Sequence, residues 1–156
     1  MNEQVRLLQA EIRNDLGAIK NAYAALNDVI SHRLDAANSI TASYYVHVIY
    51  GLFENLFTRI ATLFGNRIRD EAQWHSQLLR HMTLDIEGVR PRVIGDEAYQ
   101  HLDELRRFRH LFRNAYVLRF DLDRLALVLK DAQQLEQLYG RDLETFLNLL
   151  DQLVDE

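Results

Sequence analysis

The densest chemistry in the chain lies between Arg106 and Tyr116, which reads Arg-Arg-Phe-Arg-His-Leu-Phe-Arg-Asn-Ala-Tyr. On a helix, residues three and four apart share a face, so Arg106, Arg109 and Arg113 form one cationic ridge. Tyr116 extends the ridge by a turn, and His110 and Asn114, themselves four apart, lie beside it. Arginine presents a rigid fork of donors that matches phosphate oxygens two at a time, which lysine does not. Histidine is suited to carrying a proton near neutrality. Such a set suits a phosphodiester. Cleaving one without metal needs a neighbouring hydroxyl to attack phosphorus while the opposite oxygen leaves. One group must accept a proton, another must donate one, and cations must hold the added charge. Asparagine cannot titrate, so Asn114 is limited to orienting a phosphate or hydroxyl by hydrogen bonds. A plainer reading stands beside this one: arginines often just cover helix surfaces and pair with Asp and Glu.

Composition sharpens the contrast. The net charge is −5, which argues against a surface coated with basic patches. Yet only Lys20 and Lys130 are lysines, and six arginines (Arg106, Arg107, Arg109, Arg113, Arg119, Arg124) fall in one stretch. An acidic protein with one arginine-dense segment can hold a focused phosphate site. Absence of cysteine excludes disulfides, thiolate zinc sites and thiol catalysis, and fits a reducing cytoplasm. No metal site is expected. A di-iron bundle needs two Glu-x-x-His motifs, whereas this chain offers only Glu71-x3-His75 and His101-x2-Glu104, single and wrongly ordered. His32, His47, His75, His81 and His101 lack metal-ligand spacing and read as structural or surface histidines. No Gly-rich phosphate loop or Ser-His-Asp order is present. No cofactor is implied.

The elements that must position the arginine segment are helical. Only Pro91 and six glycines interrupt 156 residues, a length expected to form a single domain over 1–156. Val5, Leu8, Ile12, Leu16, Ile19, Tyr23, Leu26 and Ile30 form the apolar stripe of a long first helix. A second is predicted from Ser39 to Phe64, stopped at Gly65-Asn66, with Tyr45, Ile49, Leu52, Leu56, Ile60 and Leu63 inward. Its polar interruptions at His47, Glu54, Asn55 and Arg59 mark a buried helix rather than a membrane span. Asp70 to Leu84 supplies a third helix carrying Trp74, Leu78 and Met82, and 85–95 is the main loop. The fourth runs from Asp96 to Leu118 with Leu102, Leu105, Phe108 and Phe112 apolar. Phe120–Asp123 reads as a turn with an aspartate cap, and a last helix, bent near Gly140, runs from Leu125 to Val154. The expected fold is all-α: an antiparallel bundle of about five helices. A charged N-terminus, MNEQVRLLQAEIRND, is unlike a secretory leader, and a cytoplasmic location is expected.

From about Tyr44 to the C-terminus the chain resembles the HEPN toxins of bacterial toxin–antitoxin pairs, the HepT-like ribonucleases. Their fourth helix carries Arg, four to six residues, then His, often followed by x-Tyr, in phrases such as Phe-Arg-His-x-x-Arg-(His or Asn)-x-Tyr before a Leu-Asp turn. Here Phe108-Arg109-His110-Leu111-Phe112-Arg113-Asn114-Ala115-Tyr116 is followed by Asp121-Leu122-Asp123. Gly51-Leu-Phe-Glu54-Asn55, Arg59-Ile60, Trp74-His75, Leu78-Leu79 and Arg90-Pro91 agree with it. The resemblance implies a two-fold homodimer and a metal-independent ribonuclease acting on structured RNA such as tRNA. Arg109 takes the place of the motif arginine, and Tyr116 that of the tyrosine adenylylated by a small nucleotidyltransferase antitoxin. Asn114 stands at the motif histidine. Three readings stay open there: His110 is the titrating group, the chain is a weakened homologue acting as a binding module, or the asparagine is a change that lets a toxic protein be produced. Arg69-x5-His75 also fits the loose spacing, but on another helix with other neighbours, and reads as coincidence.

Overall fold

The structure is a computed structural model that describes residues 2–65, 68, 70–114 and 121–155, with the side chains of 111–114 outside the description. Six α-helices follow in order: α1 (Asn2–Ile30), α2 (Ala36–Leu63), α3 (Trp74–His81), α4 (Asp96–Asn114), α5 (Leu122–Glu136) and α6 (Tyr139–Asp155). Among the described residues there is no strand, only an isolated antiparallel bridge between Ile86 and Arg90. The all-helical expectation holds.

The long α1 folds back along α2 through the short connection 31–35. Asp35 caps α2 by accepting from the Asn38 N–H at 2.9 Å. Gly65, at φ +69, turns the chain after α2, as expected of a glycine stop. Ile12, Ile19, Tyr23 and Leu26 of α1 are fully buried against Ile49, Tyr50, Phe53, Leu56, Phe57 and Ile60 of α2. The Tyr23 hydroxyl donates to the Ala132 carbonyl at 2.8 Å, tying α1 to α5, and its ring stacks on Tyr139 at 5.7 Å. Burial holds that phenol far above its ordinary pKa, so it stays a donor.

Two boundaries differ from the sequence pattern. The last helix is not one bent rod: it stops at Glu136 and restarts at Tyr139 as α6. The apolar stripe runs through both helices, so periodicity does not register the break. The third helix is shorter than expected, preceded by a 3-10 turn, Glu71–Gln73, that Asp70 caps through the Ala72 N–H. An aspartate of the expected turn does cap α5: it is Asp121, accepting from Asp123 and Arg124 N–H groups, so the helix starts at Leu122 rather than Leu125. No helix among the described residues is long and apolar enough to cross a membrane.

The loop between α3 and α4 is organised by Arg90, which is 3 % exposed. Its guanidinium donates to the carbonyls of His81, Leu84 and Pro91 at 3.0–3.2 Å, satisfying backbone groups that the end of α3 and the turn leave over. Burial lowers its pKa, and Asp85 partly offsets that. This loop sets where α4 begins. Arg90→Met should therefore cost about 1–3 kcal/mol, because three part-buried carbonyls lose a charged donor. Urea unfolding should show a clear drop in midpoint with an unchanged slope; wild-type stability would refute this role.

Candidate functional site: a cleft where three helices meet

On α2, Tyr50 and Glu54 sit one turn apart and face α4. On α4, Arg106 and Arg109 sit three apart and face back. Glu54 is 7 % exposed, an expensive place for a charge unless it is paired. Two side chains pair with it. Arg109 Nη1 donates to Glu54 Oε1 at 3.1 Å, and His75 Nδ1, from the first turn of α3, lies 2.7 Å from Oε2. One carboxylate thus joins α2, α3 and α4. The Arg109 guanidinium lies over the Tyr50 ring, 5.7 Å from its centroid, a cation–π placement. Its Nε–H is buried with no hydrogen-bond partner among the described residues.

Around this network opens a cleft of about 550 Å³, lined by Tyr50, Glu71, His75, Arg106, Arg109 and His110 among others. His75 is half exposed at its mouth, while Arg109 keeps only 18 % of its side chain in solvent. Burial, reinforced by Glu54, raises the Tyr50 phenol above its ordinary pKa, although Arg106 and Arg109 pull the other way. Tyr50 is a neutral wall, not an acid.

The arginine ridge is managed as electrostatics requires. Asp103 takes Arg106 through Nη2 at 2.8 Å and Arg107 through Nη2 at 3.1 Å. The plainer reading of these arginines, as partners of acids, is correct for Arg107, which is exposed and does not line the cleft. Arg106 and Arg109 pair with acids and line the cleft as well. His110 is brought to the same cleft. The side chains of Arg113 and Asn114, and all of Tyr116, lie outside the described residues. Phe108 is buried as expected, and Phe112 falls outside the description.

Tyr50, Glu54 and His75 are not picked out by spacing. In the sequence Glu54 is a polar interruption in an apolar helix and His75 reads as a structural or surface histidine. Their pairing bridges 21 residues and two helices, so local spacing carries no trace of it. His101 does fit the structural reading, with Nδ1 at 2.7 Å from Asp131 of α5. Among the described residues, no three His, Asp or Glu gather as a metal-holding group.

A family model described as HepT-like protein matches residues 41–150, which takes in most of α2, all of α3 to α5 and most of α6. The chain belongs to the HepT-like family. The match covers every residue of the Glu54 network and leaves the whole of α1 outside. No curated protein and no solved structure matches the chain. The HEPN character inferred from Phe108–Tyr116 is thereby established for this HepT-like chain.

Glu54→Gln should destabilise the protein by about 1–3 kcal/mol, below the 3–5 typical of breaking a fully buried pair because Arg109 and His75 retain some solvent. Chemical denaturation checks it; a variant as stable as wild type would show that the carboxylate is not the tie between the three helices.

Proposed function

We propose that the chain is the toxin subunit of a toxin–antitoxin pair: a metal-independent endoribonuclease whose substrate is tRNA or another structured RNA. What carries this reading is the convergence of Arg106, Arg109 and His110 on one solvent-open cleft in a HepT-like chain. Arg109 and Arg106 bind and neutralise the scissile phosphate, with Arg113 extending the ridge along α4. Asn114 orients the phosphate or the attacking hydroxyl, and His110 handles a proton. The arrangement is completed in a two-fold dimer, with α4 near the interface, where two arginine faces border one groove. The partner is a minimal nucleotidyltransferase antitoxin that adenylylates Tyr116. That step transfers an adenylyl group from ATP to the phenol oxygen and releases pyrophosphate. The added phosphate then occupies the arginines that RNA phosphate would use. The protein works in the cytoplasm as a single folded unit, with no cofactor.

A second reading is favoured by Asn114 itself. A non-titrating residue at the motif histidine position suits a weakened or inactive homologue that acts as a binding module for the same partner.

Purified protein should cut total tRNA with EDTA present. Arg109→Ala should lower cleavage at least a hundredfold, while Arg141→Ala, an exposed change on α6, leaves it unaltered. Activity that vanishes with chelator and returns with a divalent ion, or that ignores Arg109→Ala, would overturn the mechanism.

Co-expression with a cognate minimal nucleotidyltransferase should add the mass of one adenylyl group to the peptide holding Tyr116. An unmodified Tyr116 would remove the regulatory step.

A further inference from the structure

We propose that His75 of α3, oriented by Glu54, is a catalytic base of the cleft and supplies the titrating group that Asn114 lacks. This rests on the ribonuclease reading above and adds a residue from outside the Arg109–Tyr116 motif.

The geometry assigns the role as follows. A carboxylate can only accept, so the 2.7 Å contact with Glu54 Oε2 makes His75 Nδ1 the protonated nitrogen. In neutral imidazole the other nitrogen, Nε2, is then the acceptor. A carboxylate that fixes a histidine tautomer in this way is a recurrent device for making a general base. The same carboxylate holds Arg109 through its other oxygen at 3.1 Å. Phosphate-binding cation and proton acceptor are thus referenced to one buried group, and both line the cleft that RNA would enter. His75 is half exposed, so a substrate can reach it; Glu54, at 7 % exposure, is a positioning residue. Among the described residues, the charged and titratable groups that pair with His75 or line the cleft with it are Glu54 from α2, Glu71 from the turn before α3, and Arg106, Arg109 and His110 from α4.

In the step, the RNA 2′-oxygen bonds to phosphorus and passes its proton to His75 Nε2. The bond from phosphorus to the 5′-oxygen breaks, and that oxygen takes a proton from the His110 imidazolium. The products are a 2′,3′-cyclic phosphate and a 5′-hydroxyl. His75 then releases a proton to solvent and His110 regains one, so the cycle closes with no oxidant or co-reactant.

The test uses the full chain with tRNA and EDTA, comparing wild type, His75→Asn, His75→Ala and Asn114→His. Asparagine can still bond to Glu54 but does not titrate. His75→Asn should keep its melting temperature and lose cleavage at least a hundredfold. Wild-type activity should fall on acidification, because the base must be deprotonated, and the variant's residual activity should lack that acid limb. Added imidazole should restore at least fivefold to His75→Ala, which a merely structural histidine would not show. Wild type that cuts RNA while His75→Asn keeps its rate and pH profile overturns the role of His75 alone. An inert wild type with an active Asn114→His overturns it too, and leaves the weakened-homologue reading standing. Inactivity of both overturns the inference together with the ribonuclease reading.

Discussion

The arrangement of the site depends on a single buried carboxylate. Glu54 lies about two-thirds of the way along α2, packed among residues that form the core, and a charge there is tolerated only because Arg109 and His75 meet it. That requirement works in both directions. The carboxylate needs both partners close, and each partner is held in a fixed place by needing the carboxylate. Three helices are therefore referenced to one another at the atoms proposed to do the chemistry. A hydrophobic contact of equal strength would slide; a hydrogen-bonded ion pair sets distance and direction.

Much of the scaffold serves that point. The α1–α2 pairing buries Phe53 and Phe57 on the sides of α2 away from the cleft, which leaves Tyr50 and Glu54 facing α4. Arg90 gathers the carbonyls of the α3–α4 loop and so fixes where α4 starts relative to α3. Asp103 draws Arg106 and Arg107 to itself, relieving the repulsion along α4 without involving Glu54. The aspartate and the glutamate divide the ridge: one restrains the arginines toward the helix start, the other holds the arginine of the motif.

The helices were legible because apolar residues recur with the helical period, and the caps at Asp121 and Gly65 were legible because each needs a particular residue type. The run of arginines along α4 was legible for the same reason, being local. The gap between α5 and α6 was not, since the apolar stripe passes through Gln137 and Leu138 without losing register. The Glu54–His75 contact was not legible either. It arises where α3, entered through a capped 3-10 turn, packs on α2, and not from any spacing within one helix. Arg90 read as a loop arginine, whereas its burial follows from surplus carbonyls that only the folded turn reveals.

The most direct test of the Glu54-centred cleft is nitrogen NMR of His75 and Arg109 in the full chain, with and without a 2′-deoxy dinucleotide that binds but cannot be cut. The expected result is a His75 ring protonated at Nδ1 and accepting at Nε2 in the free protein, with the His75 and Arg109 signals shifting together as the dinucleotide is added. A His75 ring protonated only at Nε2, or a dinucleotide that shifts neither residue, would contradict the account.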